Sequence, residues 1–153
     1  MPKSVPYEVD QSGKIEDTAR NTVLAISNGK HFSLLLRAKD KRLLQEIYRG
    51  LLNRNRQFVF ETFSALLFLL VSYSKPKGKI IIDKEYPGKE ALINLLYTNF
   101  WLASGVKRDK VPKLTFGLIG KSSKAHKLAY STFKKNKKPS KIIDLDTLTA
   151  VLF

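Results

Sequence analysis

The apolar residues of this chain change their period once, and that change limits the folds open to it. Up to residue 37 they come in short, β-branched runs; from residue 43 onward they recur at helical spacing. Tyr7-Glu8-Val9-Asp10 reads as a brief strand, with Gln11-Ser12-Gly13-Lys14 as the turn behind it. Thr22-Val23-Leu24-Ala25-Ile26 is a second strand, and Asn28-Gly29 after it is a strong hairpin signal. Residues 32–37, FSLLLR, then form the returning strand. The opening third is expected to be an antiparallel meander.

Leu43, Leu44, Ile47, Tyr48, Leu51 and Leu52 are spaced three or four apart, which predicts a helix. After the polar Asn53-Arg54-Asn55-Arg56, residues 58–73 are helical again and apolar nearly all round, so this helix belongs in the core. Lys79-Ile80-Ile81-Ile82-Asp83 is an unbroken apolar strand, expected to be central and covered on both faces. Leu92, Leu95, Leu96, Phe100 and Trp101 mark a further helix, residues 114–119 a strand, and residues 125–133 a short helix. A basic connector, 134–141, leads to an apolar tail, 142–153. Three strands followed by strands entered through helices give an α/β class: one domain over 1–153, a five-stranded mixed sheet flanked by helices.

Composition narrows the function classes. Of 153 residues, 28 are Lys or Arg and 13 are Asp or Glu, a formal net charge of +15. So basic a domain is expected to seek polyanions, nucleic acid first. The absence of Cys removes a disulfide scaffold, a thiol nucleophile and Cys-ligated metal sites; two His, His31 and His126, cannot build a multi-histidine zinc centre. The first ten residues carry no apolar signal core, and the longest apolar run, 65–71, is far short of the roughly 20 residues of a membrane span. The expectation is an intracellular, cytoplasmic protein with no membrane partner.

With few acids, each position matters. Asp10 ends the first strand as read here, and Asp83 ends the apolar one. Sites gather at strand ends in such sheets. If the two strands are neighbours the carboxylates converge, and a hard divalent cation, Mg²⁺ or Mn²⁺, relieves their repulsion. Glu61 lies within an aromatic run, with no basic residue at 57, 58, 64 or 65 on its helical face. It either points to solvent or faces a cation. His126 sits at the margin of the last helix, whose Leu128 and Ala129 face the core. Asp10 before Gln-Ser-Gly is equally the composition of a plain turn, and Asp83 is equally a strand cap.

The order of elements, Asp10 in Val9-Asp10-Gln11-Ser12-Gly13, a Glu in the first long helical region and Asp83 after Ile80-Ile81-Ile82 resemble the ribonuclease H-like superfamily, which includes retroviral integrases and the Argonaute/Piwi branch. Residues 118–129, LIGKSSKAHKLA, are similar to that family's last strand, loop and helix, where the final metal ligand stands two residues before a Leu-Ala pair. The resemblance covers most of residues 5–135. It implies a metal-dependent nuclease hydrolysing phosphodiester bonds of DNA or RNA with two Mg²⁺ or Mn²⁺ ions, with Asp10, Glu61, Asp83 and His126 as ligands and catalytic residues. A His at the fourth position departs from the usual carboxylate and resembles Argonaute/Piwi; Asp144 and Asp146 are its alternatives.

Between 121 and 141 there are eight lysines and no acid. Lys121, Lys124, Lys127, Lys134, Lys135, Lys137 and Lys138, with Lys107 and Arg108 as a second patch, are the expected nucleic-acid contacts, gripping phosphates without reading sequence. Tyr130 and Phe133 lie among them and either stack unpaired bases or pack on the sheet. The competing function is a non-catalytic nucleic-acid-binding or assembly subunit on the same fold. The apolar tail has two homes open to it, the body of the domain or a second copy of the chain.

Overall fold

A computed structural model describes residues 5–28 and 30–153. The Gly29 half of the Asn-Gly turn and the first four residues of the chain lie outside that range.

Three antiparallel strands open the chain: β1 (Tyr7–Ser12), β2 (Thr22–Ser27) and β3 (His31–Leu36). Then come α1 (Ala38–Glu46), running on as a π-helical turn (Ile47–Leu51), and α2 (Phe58–Ser74). β4 (Ile80–Asp83), α3 (Glu90–Ala103), β5 (Leu114–Gly117) and α4 (Lys124–Phe133) follow. The chain ends in β6 (Lys141–Ile143) and α5 (Leu145–Leu152). The sheet has six strands in the order β5-β4-β1-β2-β3-β6, with β4 parallel to β1, β5 parallel to β4 and β6 parallel to β3.

Two expectations need correcting here. The sheet is six-stranded rather than five, because Lys141, Ile142 and Ile143 pair with Leu34, Leu35 and Leu36. The tail is therefore part of the domain: α5 packs on α1 and α2, burying Leu148. β4 is next to an edge rather than central, and its residues alternate, with Ile80 and Ile82 buried and Ile81 half-buried.

The main core lies on one face of the sheet. Val9, Leu24, Ile26, Leu34 and Leu36 from the strands meet Leu44 and Tyr48, and the α2 residues Phe63, Leu66, Leu67 and Leu70. The segment Asn55–Ser74 is long and apolar enough to cross a membrane by composition, with mean hydropathy 1.4, but 61% of it is buried inside this fold. It is the core helix, filling the space between sheet and α3. Lys75 in the left-handed conformation and Pro76 end it. The stripe read over residues 43–52 is not continuous. A π turn holds one more residue than an α turn, so the stripe loses phase and Leu51 is left 83% exposed.

On the opposite face α4 packs across β1, β2 and β3. Leu128 and Ala129 sit on Val23, Ala25 and Leu35. At the far end of α4 the Phe133 ring closes over Gly13, which has φ +81°. A Cβ at Gly13 would stand 2.1 Å from the Asn21 carbonyl oxygen and 2.6 Å from Phe133. Only glycine fits there, and the fit fixes how the β1–β2 loop meets α4. Lys41 holds the same loop from the other side. Fully buried, its Nζ donates to the carbonyls of Lys14 (3.1 Å) and Asp17 (2.7 Å) and to Thr22 Oγ1 (2.9 Å).

Candidate metal centre

Strand alternation decides where the first acid points. Val9 faces the main core, so Asp10 faces α4; its cross-strand partner Ala25 belongs to the cluster beneath that helix. β1 runs on to Ser12, so Asp10 lies within the strand rather than at its end. The parallel register pairs Glu8 with Ile81 and Val9 with Ile82. One step further sets Asp10 beside Asp83, on neighbouring strands and the same face. The Ile119 backbone N–H donates to Asp83 Oδ1 at 3.2 Å, tying the loop between β5 and α4 to this carboxylate.

A third acid joins them. Glu85, two residues beyond Asp83, has a carboxylate oxygen that lies with oxygens of Asp10 and Asp83 within 4.8 Å of one another. Asp10 is buried and the other two are half-buried. Burial, the charge of Asp10, a hydrogen bond with Asp10 and the charge of Asp83 together push Glu85 up to about 8. The crowding favours its protonated form, in which it can donate to Asp10. The turn that carries Glu85 is anchored by the next residue. Tyr86 packs edge-on against Phe60 and Phe63, with ring centres 5.8 and 5.0 Å away, and its hydroxyl accepts from Gln11 Nε2 on β1 at 3.2 Å.

His126 comes from the first turn of α4. Ser123 caps that helix: its Oγ accepts from the Ala125 N–H at 3.2 Å and donates to Glu8 on β1 at 3.0 Å. This places the His126 Nδ1 2.6 Å from Asp10 Oδ2. In the tautomer with the proton on Nδ1 the ring donates to the Asp10 carboxylate, and Nε2 is the ring nitrogen left over. His126 touches Asp10 but is not one of the three groups gathered within 4.8 Å.

Glu61 is engaged elsewhere. Tyr48 Oη donates to its Oε1 at 2.9 Å, and the Arg54 guanidinium pairs with its Oε2. Burial, followed by the hydrogen bond to Glu61, pushes the Tyr48 hydroxyl upward. The absence of a basic partner read on the helical face is thus corrected. Arg54 lies seven residues back, beyond a 3₁₀ turn (Asn55–Gln57), and reaches Glu61 from outside the helix. Asp144 and Asp146 are also set apart. Asp144 caps α5, its Oδ1 accepting from the Thr147 N–H at 2.8 Å, which helps hold its carboxyl below the usual range. It follows β6, three strands from β1, about 14 Å at normal strand spacing.

Three carboxyl groups crowded where β1 passes the end of β4, in a chain of net charge +15, could hold one hard divalent cation. Among the described residues no second group of this kind stands beside them. Lys107, Arg108, Lys121, Lys124, Lys127, Lys134, Lys135, Lys137 and Lys138 are all exposed. Among the described residues none of them forms an ion pair with protein carboxylates.

Comparison of the chain with protein-family models, with curated proteins and with solved structures finds no match.

Proposed function

We propose that the chain is a divalent-cation-dependent nuclease that hydrolyses phosphodiester bonds of DNA or RNA on a ribonuclease H-like scaffold. The observation that carries this reading is the convergence of Asp10, Asp83 and Glu85 within 4.8 Å. The meander followed by β4 and β5, parallel to β1 and entered through helices, agrees with the resemblance in residues 5–135.

The donor set suits the ion: oxygen ligands only, like charges in close quarters, and a proton on Glu85 that a cation can displace. Asp10, Asp83 and Glu85 would hold it. A cation there supplies Lewis-acid stabilisation of charge building on a phosphate under attack. The chain does the rest with its own side chains. His126 fixes Asp10 through Nδ1 and offers Nε2 as a proton carrier at the edge of the site. The lysines of α4 and the connector hold the strand's phosphates as point charges, so binding falls steeply with salt. Glu61, with both oxygens engaged by Tyr48 and Arg54, has no part in this centre.

One observation favours a second reading, a nucleic-acid-binding subunit without catalysis: His126 occupies an oxygen of Asp10 at 2.6 Å that a cation would use. Labelled single- and double-stranded DNA and RNA incubated with Mn²⁺, with and without chelator, separate the two. Cleavage that chelator abolishes and Asp83→Asn removes supports the nuclease. Binding without cleavage under every metal condition supports the subunit.

A further inference from the structure

The two aromatics among the lysines have different fates in the fold. Phe133 is consumed by packing, over Gly13 and against the smaller core cluster. Tyr130 is not: it is 50% exposed, joins neither core cluster, and its hydroxyl has no hydrogen-bond partner among the described residues. It lies one helical turn beyond His126, and the two rings are nearly parallel, 17° apart in plane with centres 6.4 Å apart. Lys134 Nζ, a flexible cation one turn further on, lies 5.6 Å over the Tyr130 ring. Thus the flank of α4 that meets Asp10 through His126 carries a ring in contact with the site, a half-exposed ring beside it, then a positive charge.

We propose that Tyr130 is a stacking platform for an unpaired base, so that the substrate of this site is a single strand or a single-stranded stretch. The inference rests on the nuclease reading for its placement, since the base on Tyr130 belongs to a nucleotide neighbouring the phosphate at the acid cluster. A flat ring flanked by lysines meets both halves of an unpaired nucleotide, π-face to π-face and ammonium to phosphate. A duplex keeps its base faces inside its own stack and offers α4 only phosphates. Lys127 and Lys134 would grip either form.

The test is a binding measurement in chelator, where no cutting occurs, so its outcome is independent of whether the protein is a nuclease. Fluorescence polarisation is read for a short labelled single strand, as oligothymidylate and as oligouridylate, for the same strand with abasic sites, and for a duplex of equal length. Tyr130→Ala is expected to weaken single-strand binding about tenfold, to leave duplex binding unchanged, and to have no effect on the abasic strand. Tyr130→Phe keeps the ring and retains full affinity. Lys127→Ala with Lys134→Ala weakens every ligand. Equal loss of single strand and duplex in Tyr130→Ala, or no loss for either, overturns the proposal. Because Tyr130 is half outside, the Ala variant keeps the wild-type melting temperature, and a thermal melt confirms that the comparison is between folded proteins. Absence of Mn²⁺-dependent cleavage, measured separately, strikes the nuclease reading alone.

Discussion

Replacing Glu85 by Gln isolates the cost of crowding the acids. In the folded protein burial, then the Asp10 charge and hydrogen bond, then the Asp83 charge push Glu85 from 4.5 up to about 8. The fold thus favours the protonated form. The associated stability is fully present below the ordinary glutamate value and is lost as pH rises through about 8. Each tenfold change in proton affinity is worth about 1.4 kcal/mol, a ceiling of about 5 kcal/mol for this group. Glu85 is half-buried, and solvent screening brings the expected figure to about 2 kcal/mol. Glu85→Gln is neutral at every pH and can donate to Asp10 as the protonated acid does. Urea denaturation in chelator should therefore find the two proteins within about 0.5 kcal/mol near pH 5, and the variant about 2 kcal/mol more stable near pH 9. With Mn²⁺ present the order at high pH reverses, because only the wild type gains from the cation. Parallel pH curves for the two proteins in chelator would refute the reasoning, since the acids would then not be crowded.

Asp83→Asn should abolish Mn²⁺-dependent cleavage while leaving the affinity for nucleic acid within about threefold, since phosphate contacts by lysines supply the binding; a cleavage assay and a polarisation titration on the same variant check both halves. Gly13→Ala adds a Cβ 2.1 Å from a backbone oxygen at φ +81° and should cost about 3 kcal/mol or more by urea denaturation. Lys41→Met removes three hydrogen bonds made by a buried side chain and leaves the Lys14 and Asp17 carbonyls with only the Asp17 and Arg20 N–H groups. A loss of about 2–4 kcal/mol is expected, with faster amide exchange in the β1–β2 loop. Glu61→Gln weakens the contact with Arg54 but leaves the acid cluster intact, so cation affinity by titration calorimetry should stay within about twofold while the melting temperature falls.

Much of this fold is legible because the period of the apolar residues is local information. The meander, α2 and α4 follow from β-branched runs, an all-round apolar stretch and the Leu128-Ala129 register. β6 is harder to see. Three residues after a basic connector carry little signal, and its pairing with β3 joins positions more than a hundred residues apart. The site divides the same way. Asp10 and Asp83 stand out as carboxylates in or ending apolar strands, and the parallel register does the rest. Glu85 is missed because Lys84-Glu85-Tyr86-Pro87-Gly88 has the composition of a solvated turn. The available signal was an acid two residues past a strand-terminal Asp, with an aromatic behind it to anchor the turn. Glu61 misleads because helical-face counting does not see a partner beyond the helix start.

The central claim is that Asp10, Asp83 and Glu85 share one cation. Anomalous scattering from a crystal soaked in Mn²⁺ measures this most directly. A single strong peak bonded to oxygens of all three side chains, and absent from Asp10→Asn crystals, is the predicted result. Full occupancy at any other position with nothing between these three carboxylates would contradict it.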